Sequence, residues 1–143
     1  MHRSQSGEDD SVSHRHGQSR PLSRGAKSFL CLGDAASRII FIAGQTALDR
    51  DGSLIGKNDF AVQAEQVFRN LSFALQASGC TASNLVKLTV FLTDMDNLTS
   101  YRDARNQFFA CVTPPAAPAV TLVEVSKLYG PDFMIEIEAI AAG

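Results

Sequence analysis

Two glutamates near the end of the chain have a spacing that suits acid–base chemistry. Glu136 and Glu138 stand two residues apart within residues 133–141, a run that is otherwise apolar. Successive strand residues point to opposite faces, so both carboxylates share one face with Met134 and Ile140. Because these two neighbours are apolar, we expect Glu138 to lie in a partly covered place where the pKa of its carboxyl is shifted.

The same spacing also has a plain structural interpretation. Two glutamates on the solvent face of a half-buried antiparallel strand are common. On spacing alone this interpretation is favoured over catalysis, so the choice depends on the rest of the chain.

Length and composition indicate one soluble globular domain. The chain has 143 residues, of which 45% are hydrophobic and 20% charged. That length suits a single compact core and is too short for two ordinary domains. The net charge of -2 and the isoelectric point near 5.9 give no basic footprint, so no nucleic-acid partner is expected.

The distribution of cysteine and histidine favours a cytoplasmic protein without a metal. No run of about 18 apolar residues predicts a membrane span, and the first residues lack the apolar core of a secretory signal. Three widely spaced cysteines, Cys31, Cys80 and Cys111, suggest reduced thiols. Cys111 has no histidine nearby in the folded part to activate it, so a buried structural thiol is expected there. No metal or other cofactor is indicated, since all histidines fall in the first 16 residues.

The pattern along the chain predicts a tail followed by one α+β domain. Residues 1–26 are rich in Ser, Arg, His, Asp and Gly and are predicted to be disordered. Residues 27–143 form the domain. Its predicted elements are a hairpin of 28–32 and 38–43, a helix capped by Asp59 and ending at Gly79, a strand at 86–92, a helix capped by Asp96 or Asn97 and ending near Cys111, and strands at 119–125 and 133–141.

Four short blocks in this domain follow one another at a distinctive spacing. They are Ile-Phe-Ile-Ala-Gly-Gln at 40–45, Val-Lys-Leu-Thr-Val-Phe-Leu-Thr-Asp-Met at 86–95, Val-Glu-Val at 123–125 and Ile-Glu-Ile-Glu-Ala-Ile-Ala at 135–141. In order and spacing they closely resemble the RidA family, also called YjgF or endoribonuclease L-PSP. The resemblance implies a chorismate-mutase-like (YjgF-like) fold, with a mixed or antiparallel sheet of about six strands and two helices packed on one face. It also implies a homotrimer with ligand clefts between subunits.

The resemblance further implies a reaction and a set of site residues. The best-known members hydrolyse enamines and imines, releasing ammonia and a 2-oxo acid. In them an arginine binds the substrate carboxylate, a backbone amide near a Ser-Gly-Gln turn assists, and a glutamate of the closing strand positions the attacking water. Carried onto this chain, the catalytic glutamate falls on Glu138. The substrate-binding positions fall on Gly44, Gln45, Val120, Thr121 and Leu122.

The arginine position of the family falls on Val120, which is a departure from the pattern. A valine offers no charge and no donor to a carboxylate. Losing a contact worth about 1.5 to 3 kcal/mol weakens binding by roughly one or two orders of magnitude. The sequence therefore predicts an altered substrate preference.

An arginine on the second helix is a candidate for compensation. Arg102 and Arg105 are three residues apart and share a helical face with Leu98 and Phe109. We expect Arg102 to supply part of the missing anion contact. The alternative is that both arginines are solvated on an exposed face.

Three functions remain open at this point. The first is a Rid-type hydrolase acting on C–N bonds of an imine, an enamine or a related small molecule. The second is a non-catalytic trimeric protein that binds a small molecule in the same cleft. The third, suggested by the older family names, is a ribonuclease or translation inhibitor, and the acidic balance argues against it.

Overall fold

The computed structural model describes residues 29–34 and 37–143. The predicted disordered tail, residues 1–26, lies outside the described residues. The elements in chain order are β1 (Phe29–Asp34), β2 (Ser37–Gln45), α1 (Phe60–Ala77), β3 (Leu85–Leu92), α2 (Leu98–Ala110), β4 (Ala119–Glu124) and β5 (Ile135–Ala142), with short 3-10 turns at Ala82–Asn84 and Met95–Asn97.

One mixed sheet carries both helices on the same side, as an α+β fold predicts. The strand order is β1-β2-β5-β3-β4. Strands β3 and β4 run parallel, and the other neighbours are antiparallel. The described residues thus form five strands, where about six were predicted. In the same part of the chain, no helix is long and apolar enough to cross a membrane.

Helix α1 begins and ends where its sequence signals place it. The Asp59 carboxylate accepts a hydrogen bond of 3.1 Å from the backbone N–H of Val62, which caps the first turn. Gly79 follows the helix with a positive φ of 76°, a conformation that favours glycine. The residues that recur at helical spacing along one face of the helix and at its end are buried in the structure: Ala64, Val67, Phe68, Leu71, Ala74, Leu75 and Ser78.

Local backbone geometry changes two details of the predicted elements. Alternation along residues 86–92 would place Val86 on the same face as the buried Leu88, Val90 and Leu92, but the register of β3 shifts between Leu85 and Lys87 and Val86 is 47% exposed. Asn97, one of the two predicted caps of α2, occupies the N-cap position, but its side chain makes no capping hydrogen bond. The side-chain cap belongs to the 3-10 turn that precedes the helix, where the Asp94 carboxylate accepts from the Asp96 N–H at 2.8 Å.

No helix covers the second face of the sheet within the described residues, and this side is called the open face below. On the strands, residues that point toward the helices are buried, such as Ile40, Val90 and Ile137. Their neighbours on the other face include Ile39 and Phe41, with 51% and 41% of their surface exposed. This face of the sheet therefore exposes large apolar side chains in the single chain.

The buried Gln63 side chain ties α1 to two loops. Its amide nitrogen donates to the carbonyls of Asp132 (2.8 Å) and Gly56 (3.1 Å). Its amide oxygen accepts from the backbone N–H of Met134 at 2.9 Å. These bonds fix the segment that enters β5, and with it the position of the glutamates.

Replacing this amide is expected to destabilise the fold. Gln63→Leu leaves the half-buried Met134 N–H and Asp132 carbonyl without their partner, so we expect the free energy of unfolding to fall by about 2 to 4 kcal/mol. Urea denaturation measures this change. Gln76→Leu is the matched control, because Gln76 is exposed on the same helix. Equal stability of the two variants would contradict the role of Gln63.

Candidate functional site

A β-bulge between β2 and β5 brings the backbone of Gly44 against a glutamate. The register passes from Ile42 opposite Ala139 to Gln45 opposite Ile137, so two residues of β2 face one residue of β5. A β-carbon added at Gly44 would overlap the carboxylate of Glu136. Glycine is therefore what permits this close approach.

Glu136 lies in an environment that favours its protonated form. The side chain is half-buried on the open face of the sheet, where Phe91 of β3 is its cross-strand partner. Burial raises the pKa of Glu136, and the charge of Glu138 raises it further. A carboxyl with a raised pKa exchanges its proton closer to neutral pH, as general acid–base catalysis requires.

The expectation that Glu138 is the covered carboxylate is wrong for this chain. Glu138 is exposed, and its cross-strand partner on β3 is Thr89. Alternation along the strand correctly places both glutamates on one face, but it does not tell which of them a neighbouring strand covers. The bulge in β2 brings Gly44 against Glu136, so Glu136 is the carboxylate that is partly covered. In the sequence, the glycine of the Ala-Gly-Gln turn is the feature that could have indicated this bulge.

Gln45, predicted to bind substrate, has a side chain that stabilises the Ala-Gly-Gln turn. Its side chain is buried, and its amide nitrogen donates to the carbonyl of Ala43 at 2.8 Å. The next residue, Thr46, shares a hydrogen bond of 2.7 Å with the hydroxyl of Tyr129. The Tyr129 ring packs on Phe133 with 4.7 Å between ring centroids. A tyrosine hydroxyl is thus fixed near the same end of β2, which the sequence alone did not reveal.

The predicted segment 120–122 divides between the two faces of the sheet. Val120 pairs with Leu88 and Leu122 with Val90, both on the helix side. Thr121 lies on the open face, where its hydroxyl accepts a hydrogen bond of 2.6 Å from Lys87. The three residues therefore do not form one wall.

A pocket surrounds Val120 on the helix side of the sheet. Its volume is about 240 Å³, and its lining residues are Arg105, Asn106, Phe109, Ala116, Ala117, Pro118 and Val120. The predicted Arg102 is exposed and is not among them. The arginine that α2 presents beside Val120 is Arg105, one turn further along the helix.

The sheet separates these two parts of the candidate site. Glu136 and Gly44 meet on the open face, whereas Val120 points to the helix side. The structure consequently does not bring the predicted residues into one site within a single chain.

Other chemical groups have separate places in the fold. A groove of about 570 Å³ runs between α1 and α2, with Glu65, Arg69 and Asp103 among its lining residues.

Of the two cysteines whose burial is described, Cys80 is buried. Cys111 was expected to be buried but is exposed, because α2 ends there. Within residues 29–34 and 37–143, no three His, Cys, Asp or Glu side chains are placed to hold a metal ion.

Sequence comparison identifies the family. Residues 31–143 match the family described as Endoribonuclease L-PSP. The chain therefore belongs to the family known as RidA, YjgF or L-PSP.

Several relatives support this assignment in detail. The chain is 41% identical over 108 residues to a "RutC family protein" of Synechocystis sp., covering 75% of this chain and 80% of the relative. It is 32% identical over 104 residues to the human protein named 2-iminobutanoate/2-iminopropanoate deaminase, covering 73% and 72% of the two chains.

Solved structures show the same fold. The YjgF gene product of E. coli superposes with a TM-score of 0.71 at 28% identity, covering 86% of this chain and 98% of that one. E. coli TdcF, solved with bound serine, gives a TM-score of 0.68 at 28% identity, covering 78% and 84%. The YjgF-like α+β fold predicted from the sequence is confirmed.

We expect Glu136 to titrate above the usual range of a glutamate. The folded chain favours its protonated form, so the stability linked to this group is fully present below the unfolded-state pKa and is lost as pH rises through the raised folded-state pKa. Carboxyl ¹³C NMR measures this titration. Glu138→Gln should lower the pKa of Glu136 without restoring the usual value, because burial is the larger cause. A Glu136 that titrates in the ordinary range would contradict the assignment.

Proposed function

We propose that the protein is a Rid-type hydrolase that acts on the C–N bond of an imine or enamine, in clefts between the subunits of a homotrimer. The observation that carries the proposal is the half-buried Glu136 held against Gly44. The similarity to proteins named as imine deaminases supports the reaction class. The proposed catalytic residue is Glu136 rather than its exposed neighbour Glu138.

The chemistry needs one group that first accepts and then donates a proton. The Glu136 carboxylate removes a proton from water as the oxygen attacks the carbon of the protonated imine, giving a neutral carbinolamine. The same carboxyl then returns that proton to the nitrogen, which leaves as ammonia, and the carboxylate takes up the proton of the carbinolamine hydroxyl as the C=O bond forms. A raised pKa suits both transfers near neutral pH. An enamine enters this sequence after protonation of its β-carbon gives the imine.

The proposed assembly follows from where the two parts of the site lie. Because the sheet separates Glu136 from Val120, a cleft that uses both must take them from different copies of the chain. The exposed Ile39, Phe41 and Val123 on the open sheet face are apolar surface that further copies would cover. This supports the predicted homotrimer.

The substrate preference is proposed to differ from that of the arginine-containing members. Val120 lines its pocket with an apolar side chain, so it offers nothing to a carboxylate. The anion contact predicted from Arg102 remains a prediction. In the chain that residue is exposed, outside the pocket around Val120.

A non-catalytic binding protein of the same fold is the second candidate. The similarity to E. coli TdcF with bound serine favours it, because a fold that holds a small amino acid does not need to convert one. A ribonuclease is the least favoured candidate, because the chain has a net charge of -2 and so no basic footprint for RNA.

The deaminase proposal is tested with freshly generated 2-iminobutanoate, following the release of ammonia and 2-oxobutanoate. We expect turnover by the parent and a loss of about 100-fold or more in Glu136→Gln, since general acid–base catalysis contributes about 10² to 10⁴. Glu138→Gln is the matched control and should keep most of the activity. Full activity of Glu136→Gln would disprove its role, and a parent that binds 2-oxobutanoate without turnover would favour the binding protein.

A further inference from the structure

The pocket around Val120 contains one charged side chain and otherwise mostly apolar walls. Arg105 is the only charged residue among its lining residues. The remaining lining is apolar except for the side-chain amide of Asn106, since Phe109 lies on one side and the segment of Ala116, Ala117 and Pro118 on the other. A guanidinium in such surroundings is less hydrated than one on an open surface, which strengthens its attraction to an anion.

The guanidinium of Arg105 is available to a ligand. It makes one side-chain hydrogen bond, of 3.3 Å, to the amide oxygen of Asn106. The ion pairs of the described residues are Lys57 with Asp132 and Arg69 with Glu65, so within that part of the chain Arg105 has no carboxylate partner. Half-buried arginines usually pair with an acid, and this one faces a pocket instead.

Aromatic residues hold Arg105 in place. Its guanidinium carbon lies 6.0 Å from the centroid of the Tyr101 ring, one helical turn back. The Tyr101 ring is itself fully buried and stacks on Phe68 with 6.3 Å between centroids. The arginine is therefore positioned by a rigid platform at cation–π distance, which reduces the entropy lost when it binds a ligand.

The geometry points to Arg105 as the residue that binds the carboxylate of a small ligand. The arginine side chain reaches this pocket from α2 and lies beside Val120. The planar guanidinium matches a carboxylate with two parallel hydrogen bonds. A volume of about 240 Å³ equals roughly eight water molecules, so the ligand class is a short monocarboxylate with a small apolar side chain. The inference rests on the proposed function for the place of this ligand in the reaction.

The test measures binding of 2-oxobutanoate, the stable product of the proposed reaction, by calorimetry on the full chain. We expect Arg105→Met to raise the dissociation constant about 10- to 100-fold, as loss of a charge-assisted bidentate contact does. Arg69→Met, on the other helix and outside this pocket, should leave it unchanged. The uncharged amide 2-oxobutanamide should bind the parent and Arg105→Met equally.

Three results would overturn the inference. They are equal affinity of the parent and Arg105→Met for 2-oxobutanoate, a loss of affinity in Arg102→Met instead, or a parent that does not bind the carboxylate at millimolar concentration. Circular dichroism and thermal unfolding of Arg105→Met establish that it is folded. If it is not, Arg105→Lys, which keeps the charge but not the fork, should show a smaller loss.

The outcomes also separate this inference from the proposed function. Binding that depends on Arg105, without any turnover of imines, keeps the carboxylate site and removes the hydrolase. Turnover of an uncharged imine that Arg105→Met leaves unaffected, with no binding of 2-oxobutanoate, keeps the hydrolase and removes the carboxylate site.

Discussion

The close approach of the Gly44 backbone to the Glu136 carboxylate is the contact on which the candidate site depends. The contact exists because β2 carries one extra residue opposite β5 between Ile42 and Gln45, and because Gly44 in this bulge has no β-carbon. The bulge covers one glutamate and leaves the next exposed. The burial that raises the pKa of Glu136 therefore comes from strand pairing, supported by the Gln63 hydrogen bonds that hold the start of β5.

The sequence predicted the fold well wherever local signals and burial agree. The Asp59 cap, the glycine after α1 and the alternation of β5 all hold in the structure. The site was harder to predict because its decisive features depend on contacts between strands. Two glutamates at positions 136 and 138 are equivalent by alternation, and only their neighbour on β2 distinguishes them. Likewise, Arg102 and Arg105 share a helical face, and only the packing against the segment before β4 places Arg105 in the pocket.

In the proposed function, each chain carries two parts of a site on opposite sides of its sheet. One offers a carboxyl with a raised pKa, and the other offers a pocket with a cation held over an aromatic ring. A substrate that carries both an electrophilic carbon and a carboxylate needs both parts at once. In the proposed trimer, the exposed Ile39, Phe41 and Val123 on the open face would be covered by other copies, and this association would bring the two parts together.

The sharing of one cleft between two subunits is the central claim, and complementation between inactive variants tests it most directly. Glu136→Gln removes one part of the cleft, and Val120→Trp fills the other. In hybrids assembled from equal amounts of the two variants, about one quarter of the clefts of a cyclic trimer receive both intact parts, so about a quarter of the parent imine hydrolysis should return. Hybrids of confirmed composition that are no more active than either variant alone would contradict a shared cleft.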